Sequence, residues 1–206
     1  MLLPIHPKDP EPRKIRAVVE RLLLGEVIVC PTDTVYAFAC SAHRIKAIER
    51  VAWLKGVRPQ KADLSLVCKD LSQLSMYSRA IGTPAFRLMK KALPGPFTFI
   101  LPANSEVPKL FMNNKRTVGI RVPDHRVPQA LVAELGHALV VASVHDPDGA
   151  LVHANDPGTI DARFGHDVGL IIDSGVGGIE PSTVIDLTGA EPIVVREGKG
   201  AIDELH

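Results

Sequence analysis

The stretch Arg13–Tyr36, RKIRAVVERLLLGEVIVCPTDTVY, decides the fold class. Its first half sets Ile15, Val18, Val19, Leu22 and Leu23 at the i, i+3, i+4, i+7, i+8 spacing of one buried helix face. Pro12 stands at the start and Gly25 just past the end, where each residue type favours a helix terminus. Val27–Cys30 is then a short unbroken apolar run, the pattern of a buried strand, and Pro31 stops it. A helix followed at once by a buried strand is the unit of an α/β sheet domain.

Working outward, the same alternation continues. Helices are predicted over Arg44–Lys55, Pro84–Leu93, Val127–Leu135 and, shorter, Thr159–Phe164. Strands are predicted over Leu64–Cys68, Phe97–Leu101, Thr117–Val122, Ala138–Val144, Val168–Ile172, Thr183–Leu187 and Ile193–Arg196. Successive strands around Phe97–Val122 and after Val168 have no long helix between them, so some neighbours must run antiparallel and the sheet is mixed. With 206 residues, the chain reads as one domain over residues 1–206, with Lys199–His206 free to fray.

Composition narrows the function classes. With 24 Lys and Arg against 23 Asp and Glu, the formal charge is +1, which argues against wrapping nucleic acid by bulk charge and leaves a local basic pocket as the place for anions. No apolar run approaches the roughly 20 residues of a membrane span, and the proline-broken N-terminus lacks the apolar core of a signal peptide. The few cysteines, Cys30, Cys40 and Cys68, fit neither a disulfide framework nor a zinc site and point to a reducing cytoplasm. The eight histidines form no H-E-x-x-H and no compact spacing with cysteine, so no dedicated metal site is expected.

Five stretches could carry chemistry. Pro31-Thr32-Asp33-Thr34-Val35-Tyr36 begins where a buried strand ends, a usual place for ligands in open α/β sheets. Its hydroxyls and carboxylate can hold an amino-acid-like substrate, or satisfy their own turn. Lys55-Gly56-Val57-Arg58-Pro59-Gln60-Lys61 puts three cations in seven positions after a helix, either complementing the helix dipole or clamping a triphosphate. Within Lys115–Pro123, Arg121 lies inside an apolar strand and needs an anionic partner, a structural carboxylate or a substrate carboxylate or phosphate. Ser174–Asp186 opens with a glycine-rich loop that can approach an anion through its N–H groups, but a strand follows it, unlike the common nucleotide-binding loops. A plain tight loop is the alternative. Ser143-Val144-His145-Asp146 suggests a hydrolase triad, yet triads assemble in space rather than from consecutive residues, and no G-x-S-x-G elbow is present.

Taken together, these segments resemble the YrdC-like, or threonylcarbamoyl-AMP synthase, family from about Ile15 to Gly200. The family's P-T-[DE]-T-x-Y is similar to Pro31–Tyr36, its P-G-P-x-T-x-I-L to Pro94–Leu101, and its T-[VI]-G-[VI]-R-x-P to Thr117–Pro123. Its S-T-V-[VI]-D is similar to Ser182–Asp186 and its R-x-G to Arg196-Glu197-Gly198. Four departures look like the divergent YciO-like branch, the first being Tyr36-Ala37-Phe38 in place of the family's Y-G-L. The family's K-x-R is one residue longer here, Lys55 to Arg58. Its lysine-proline-leucine becomes Ala62-Asp63-Leu64, and its S-x-N becomes Ser143-Val144-His145.

The resemblance implies a single α/β domain of YrdC/RibB-like type: a twisted mixed sheet flanked by helices, with a basic concave cavity. It implies a nucleotidyltransferase that joins threonine, bicarbonate and ATP into threonylcarbamoyl-AMP and pyrophosphate for a tRNA modification, with reduced or altered activity given the departures. It places Thr32, Thr34, Arg121 and Ser182 on threonine, and Lys55, Arg58, Thr117, Ser143 and Arg196 on ATP, with Lys55 and Arg58 catalytic and Mg²⁺ arriving with ATP. The alternatives are a non-catalytic protein that binds tRNA or double-stranded RNA through the same cavity, and another nucleotide-processing enzyme on the same fold.

Overall fold

The structure, a computed structural model, describes residues 1–108, 116–144 and 154–205. His145 and Lys115, both in stretches singled out above, lie outside the described residues.

The chain runs β1 (Leu2–Pro4), α1 (Pro12–Leu24), β2 (Ile28–Cys30), β3 (Ala37–Ser41), α2 (Ile45–Leu54), β4 (Ser65–Val67), α3 (Leu71–Ser75), α4 (Thr83–Ala92) and β5 (Phe97–Pro102). It continues through β6 (Thr117–Arg121), α5 (Arg126–Leu135), β7 (Leu139–Ser143), α6 (Pro157–Phe164), β8 (Leu170–Asp173), β9 (Thr183–Asp186) and β10 (Ile193–Arg196). Every predicted helix and strand is present, each end displaced by at most two residues. The sequence reading lacked β1, β3 and α3.

Among the described residues the strands form one sheet in the order β1-β8-β2-β3-β7-β4-β6-β5-β9-β10. The sheet is mixed, as expected. β5 lies antiparallel to β6 and β9 to β10, whereas β8 runs parallel to β1 and β2, β4 to β6, and β5 to β9.

Side chains alternate across the sheet with period two, and this alternation builds the two layers and the site. On one face Phe38, Leu66, Phe99, Ile120 and Val140 meet Ile48 and Val51 of α2, Met89 of α4 and Phe164 of α6 in one core. On the other face Ile28, Ala39, Leu139, Val141 and Leu170 meet Val18 and Leu22 of α1 and Leu131 of α5 in a second core. α1 closes on Gly25, whose φ of 92° lets its N–H and that of Glu26 return to the carbonyls of Leu22 and Arg21.

The second core stops at β4. No residue of β5, β6, β9 or β10 belongs to it. Over that half of the sheet the corresponding face carries Thr98, Thr117, Gly119 and Arg121 beside Ile100 and Val184, and it stays open.

The C-terminal stretch differs from the expectation of fraying. Thr183 Oγ1 donates to the Gly200 carbonyl (2.7 Å), the Lys199 N–H donates to that of Pro181 (2.8 Å), and residues Ile202–Leu205 form a 3₁₀ turn. Gly200 packs on the Phe97 ring so closely that a Cβ there would lie 2.6 Å from it.

Candidate functional site

The open half-face is the floor of a cavity of about 900 Å³. Its floor follows the alternation: Thr98 and Ile100 from β5, Thr117, Gly119 and Arg121 from β6, Ser143 from β7 and Val184 from β9. Gly119 keeps the centre low, because a Cβ there would sit 3.0 Å from Ser65 Oγ and 3.4 Å from the Thr98 methyl. Lys55 enters from the end of α2, Asp63 from the segment before β4, and Arg196 from β10.

Arg121 is the deepest charge, 6% exposed. Its Nη2 donates to Asp33 Oδ1 at 2.5 Å and its Nη1 to Thr34 Oγ1 at 3.1 Å. The second Asp33 oxygen accepts the N–H of Asp124 (3.0 Å). Of the two partners considered for Arg121, the structural carboxylate is therefore present, supplied by the turn between β2 and β3. Burial pulls the Arg121 pKa down, Asp33 pushes it up and Arg196 pulls it down further. Arg121 Nε is buried with no hydrogen-bond partner, one donor that the fold leaves unused.

Thr32 and Thr34 serve the turn. Thr32 Oγ1 donates to the Val35 carbonyl (2.7 Å) and accepts the Thr34 N–H (3.1 Å). With its proton committed, Thr32 Oγ1 accepts from the Thr34 hydroxyl at 3.0 Å, which leaves the Thr34 oxygen free to accept from Arg121. Both threonines are buried and do not line the cavity.

Ser182 stands against Thr98, the two hydroxyls 2.8 Å apart. Its carbonyl accepts from Arg196 Nε (3.3 Å) and Nη2 (2.9 Å), which holds that guanidinium over the cavity wall. Lys55 is half-buried, its Nζ 3.5 Å from the Ser143 carbonyl. Burial lowers the Lys55 pKa, Asp63 raises it and Arg196 lowers it.

Of the residues expected on ATP or threonine, the structure gathers Lys55, Thr117, Arg121, Ser143, Ser182 and Arg196 around one hollow. Arg58 does not join them. The longer K-x-R spacing leads into a 3₁₀ turn over Pro59–Lys61, and Arg58 is exposed outside the cavity lining. Asp63 was missed as a lining residue. It has a φ of 45°, and its side chain makes no hydrogen bond or salt bridge with the described residues. Alternation along Thr117–Arg121 could have revealed the open face, since it sets Thr, Gly and Arg on one side and Val and Ile on the other.

The glycine-rich loop has a packing role. A Cβ on Gly177 would lie 2.8 Å from the Tyr36 ring, and one on Gly178 would lie 2.2 Å from the Thr34 carbonyl oxygen. The loop is clasped to the Pro31–Tyr36 turn, with Tyr36 donating to the Gly175 carbonyl (2.8 Å) and accepting the Ser174 N–H (3.2 Å). Burial raises the Tyr36 pKa to about 12, so this phenol stays protonated. No cluster of three or more His, Cys, Asp or Glu able to hold a metal exists among the described residues, and no described helix is long and apolar enough to cross a membrane.

Comparison with known proteins agrees with this architecture. Residues 20–198 match the Sua5_yciO_yrdC family, described as telomere recombination. The uncharacterized protein YciO of Escherichia coli K12 is 43% identical over 199 residues, 96% of this chain and 95% of that one. A crystal structure of E. coli YciO has a TM-score of 0.92 at 40% identity, with 100% of this chain and 99% of that chain covered. A threonylcarbamoyl-AMP synthase of Halorhodospira halophila is 28% identical over 179 residues, 87% of this chain and 92% of that one. The structure of P. abyssi Sua5 complexed with L-threonine has a TM-score of 0.84 at 27% identity, covering 96% of this chain and 57% of that one.

Proposed function

The chain belongs to the Sua5/YciO/YrdC family, and from that premise we propose that its cavity holds an adenine nucleotide beside threonine, as a threonylcarbamoyl-AMP synthase-like protein with altered synthesis. The supporting observation is the open half-face itself. Lys55, Arg121 and Arg196, far apart in the chain, converge on one hollow of about 900 Å³, within the range that encloses a nucleotide-sized ligand.

In the reaction, the threonine amine captures bicarbonate as a carbamate with loss of water. A carbamate oxygen then attacks the α-phosphorus of ATP, and pyrophosphate leaves. The reactants are anionic, so catalysis is positioning and cationic stabilisation. Arg121, held by Asp33 and Thr34, presents its guanidinium to the amino-acid side, with Ser182 nearby. Lys55, Thr117, Ser143 and Arg196 face the nucleotide. Mg²⁺ would enter on the phosphates, because Asp63 is the one carboxylate of the described lining. The product would serve tRNA modification in the cytoplasm.

A catalytic cation must reach the phosphates, and Arg58 is exposed and absent from the cavity lining. Altered forward synthesis follows from that placement.

The test is pyrophosphate release with ATP, threonine and bicarbonate, with products identified by mass. The expected result is slow release that requires both threonine and bicarbonate and is lost in Arg196→Ala. Release indifferent to threonine, or no binding of adenine nucleotide or threonine by calorimetry, would overturn the proposal.

A further inference from the structure

We infer that this cavity selects a nucleotide carrying a single phosphate over the triphosphate, and that Asp63 is the residue that sets the preference. The inference rests on the reading that the cavity takes an adenine nucleotide.

The charges around the hollow carry it. Four charged side chains line it among the described residues: Lys55, Asp63, Arg121 and Arg196. Arg121 is already neutralised by Asp33, both side chains being 8% exposed. Lys55 feels the field of Asp63. Lys55 and Arg196 are then the two cations of the described lining outside an ion pair, and Asp63, itself in none, offsets one of their two charges. Arg58, which could have added a charge, is exposed outside the lining. A single phosphate is matched by one guanidinium and the neighbouring hydroxyls. Each further phosphate adds negative charge that the described lining does not balance, in a recess where Asp63 repels it.

The conformation of Asp63 does not require its charge. A φ of 45° is met by Asn or Gly as well as by Asp. The carboxylate contributes a field, not a hydrogen bond, to the described structure. A lone carboxylate could instead ligate Mg²⁺ on incoming phosphates. The two roles predict opposite effects of removing it.

The experiment is calorimetric titration of AMP and ATP into the wild-type chain, Asp63→Asn and Asp63→Gly, each with and without Mg²⁺, at low and physiological salt. Both substitutions keep the backbone conformation accessible, so the pair guards against one that fails to fold. The expected result is AMP bound at least as tightly as ATP by the wild type. Removal of the charge tightens ATP by about tenfold and AMP by less than about threefold, and the gain shrinks as salt rises.

Wild-type binding of ATP tenfold tighter than AMP would overturn the inference and leave the nucleotide reading standing. So would ATP affinity unchanged in both variants, or Mg²⁺-ATP binding weakened by them, which would make Asp63 a metal ligand. Failure of every chain to bind either nucleotide would remove the nucleotide reading itself, and the inference with it.

Discussion

At the scale of single residues, the Asp33–Arg121 pair governs both stability and chemistry. Two charges are held out of water, their attraction reinforced by Thr34 and the Asp124 N–H. Breaking such a pair from one side strands the other charge, at a cost of about 3–5 kcal/mol. Arg121→Met should therefore destabilise the chain by about that amount in urea denaturation, as should Asp33→Asn. The double variant should recover at least ~1 kcal/mol of the summed loss. Strict additivity would show that the two groups do not interact. The need for an anion beside Arg121 was legible in the sequence, because an arginine in an apolar strand cannot stay unpaired. Its identity was not, because Asp33 lies 88 residues away and only the sheet order brings the two together.

At the scale of elements, what the sequence revealed tracks how locally each element is determined. α1 and α5 declare themselves through apolar stripes and glycine stops, and β7 through an unbroken apolar run. β3 was hidden because Ala37–Ser41 sets a single large apolar residue, Phe38, among small ones straight after a polar turn, and it is stabilised by pairing with β2 and β7. β1, three residues in a proline-rich lead, exists through its parallel pairing with β8. α3 is a single short turn fixed by the Asp70 side chain, which accepts the Gln73 N–H at 2.8 Å. The glycine-rich loop was legible as a loop, but the two accounts of it, anion cradle or tight turn, could not be separated without knowing what faces it. It faces Tyr36 and Thr34, so its glycines are needed for close approach. Gly178→Ala puts a methyl into the Thr34 carbonyl and must push the loop off the turn, with a loss of about 1–3 kcal/mol. Tyr36→Phe removes the hydroxyl clasp and should cost about 1 kcal/mol. Paired denaturation curves check both. Wild-type midpoints in both variants would mean that the loop is not fastened to the turn.

At the scale of the whole molecule, one sheet joins two cores that share no side chains, and the three cysteines sample both. Cys30 on β2 faces the core under α1 and α5, while Cys40 on β3 and Cys68 just beyond β4 face the core under α2, α4 and α6. All three are free and buried, and burial pushes each thiol well above its ordinary pKa. A thiol reagent attacks thiolate and needs access, so each cysteine can react only when its layer opens. If the helical layers could detach separately, Cys30 would label at a different free energy from Cys40 and Cys68. The register argues against that. β2 and β3 are hydrogen-bonded neighbours, with Cys30 opposite Ala37, and β3 is bonded in turn to β7 and β7 to β4. Stripping α1 and α5 would bare strands whose other face still packs the opposite core, at the full cost of exposing that apolar surface. The expected outcome is one shared opening free energy for all three thiols, equal to the global unfolding free energy from denaturant titration. Mass-resolved labelling at graded urea measures it, with three equivalents reacting at once in the unfolded chain. Labelling of Cys30 well below the global transition would show that the α1–α5 layer opens on its own.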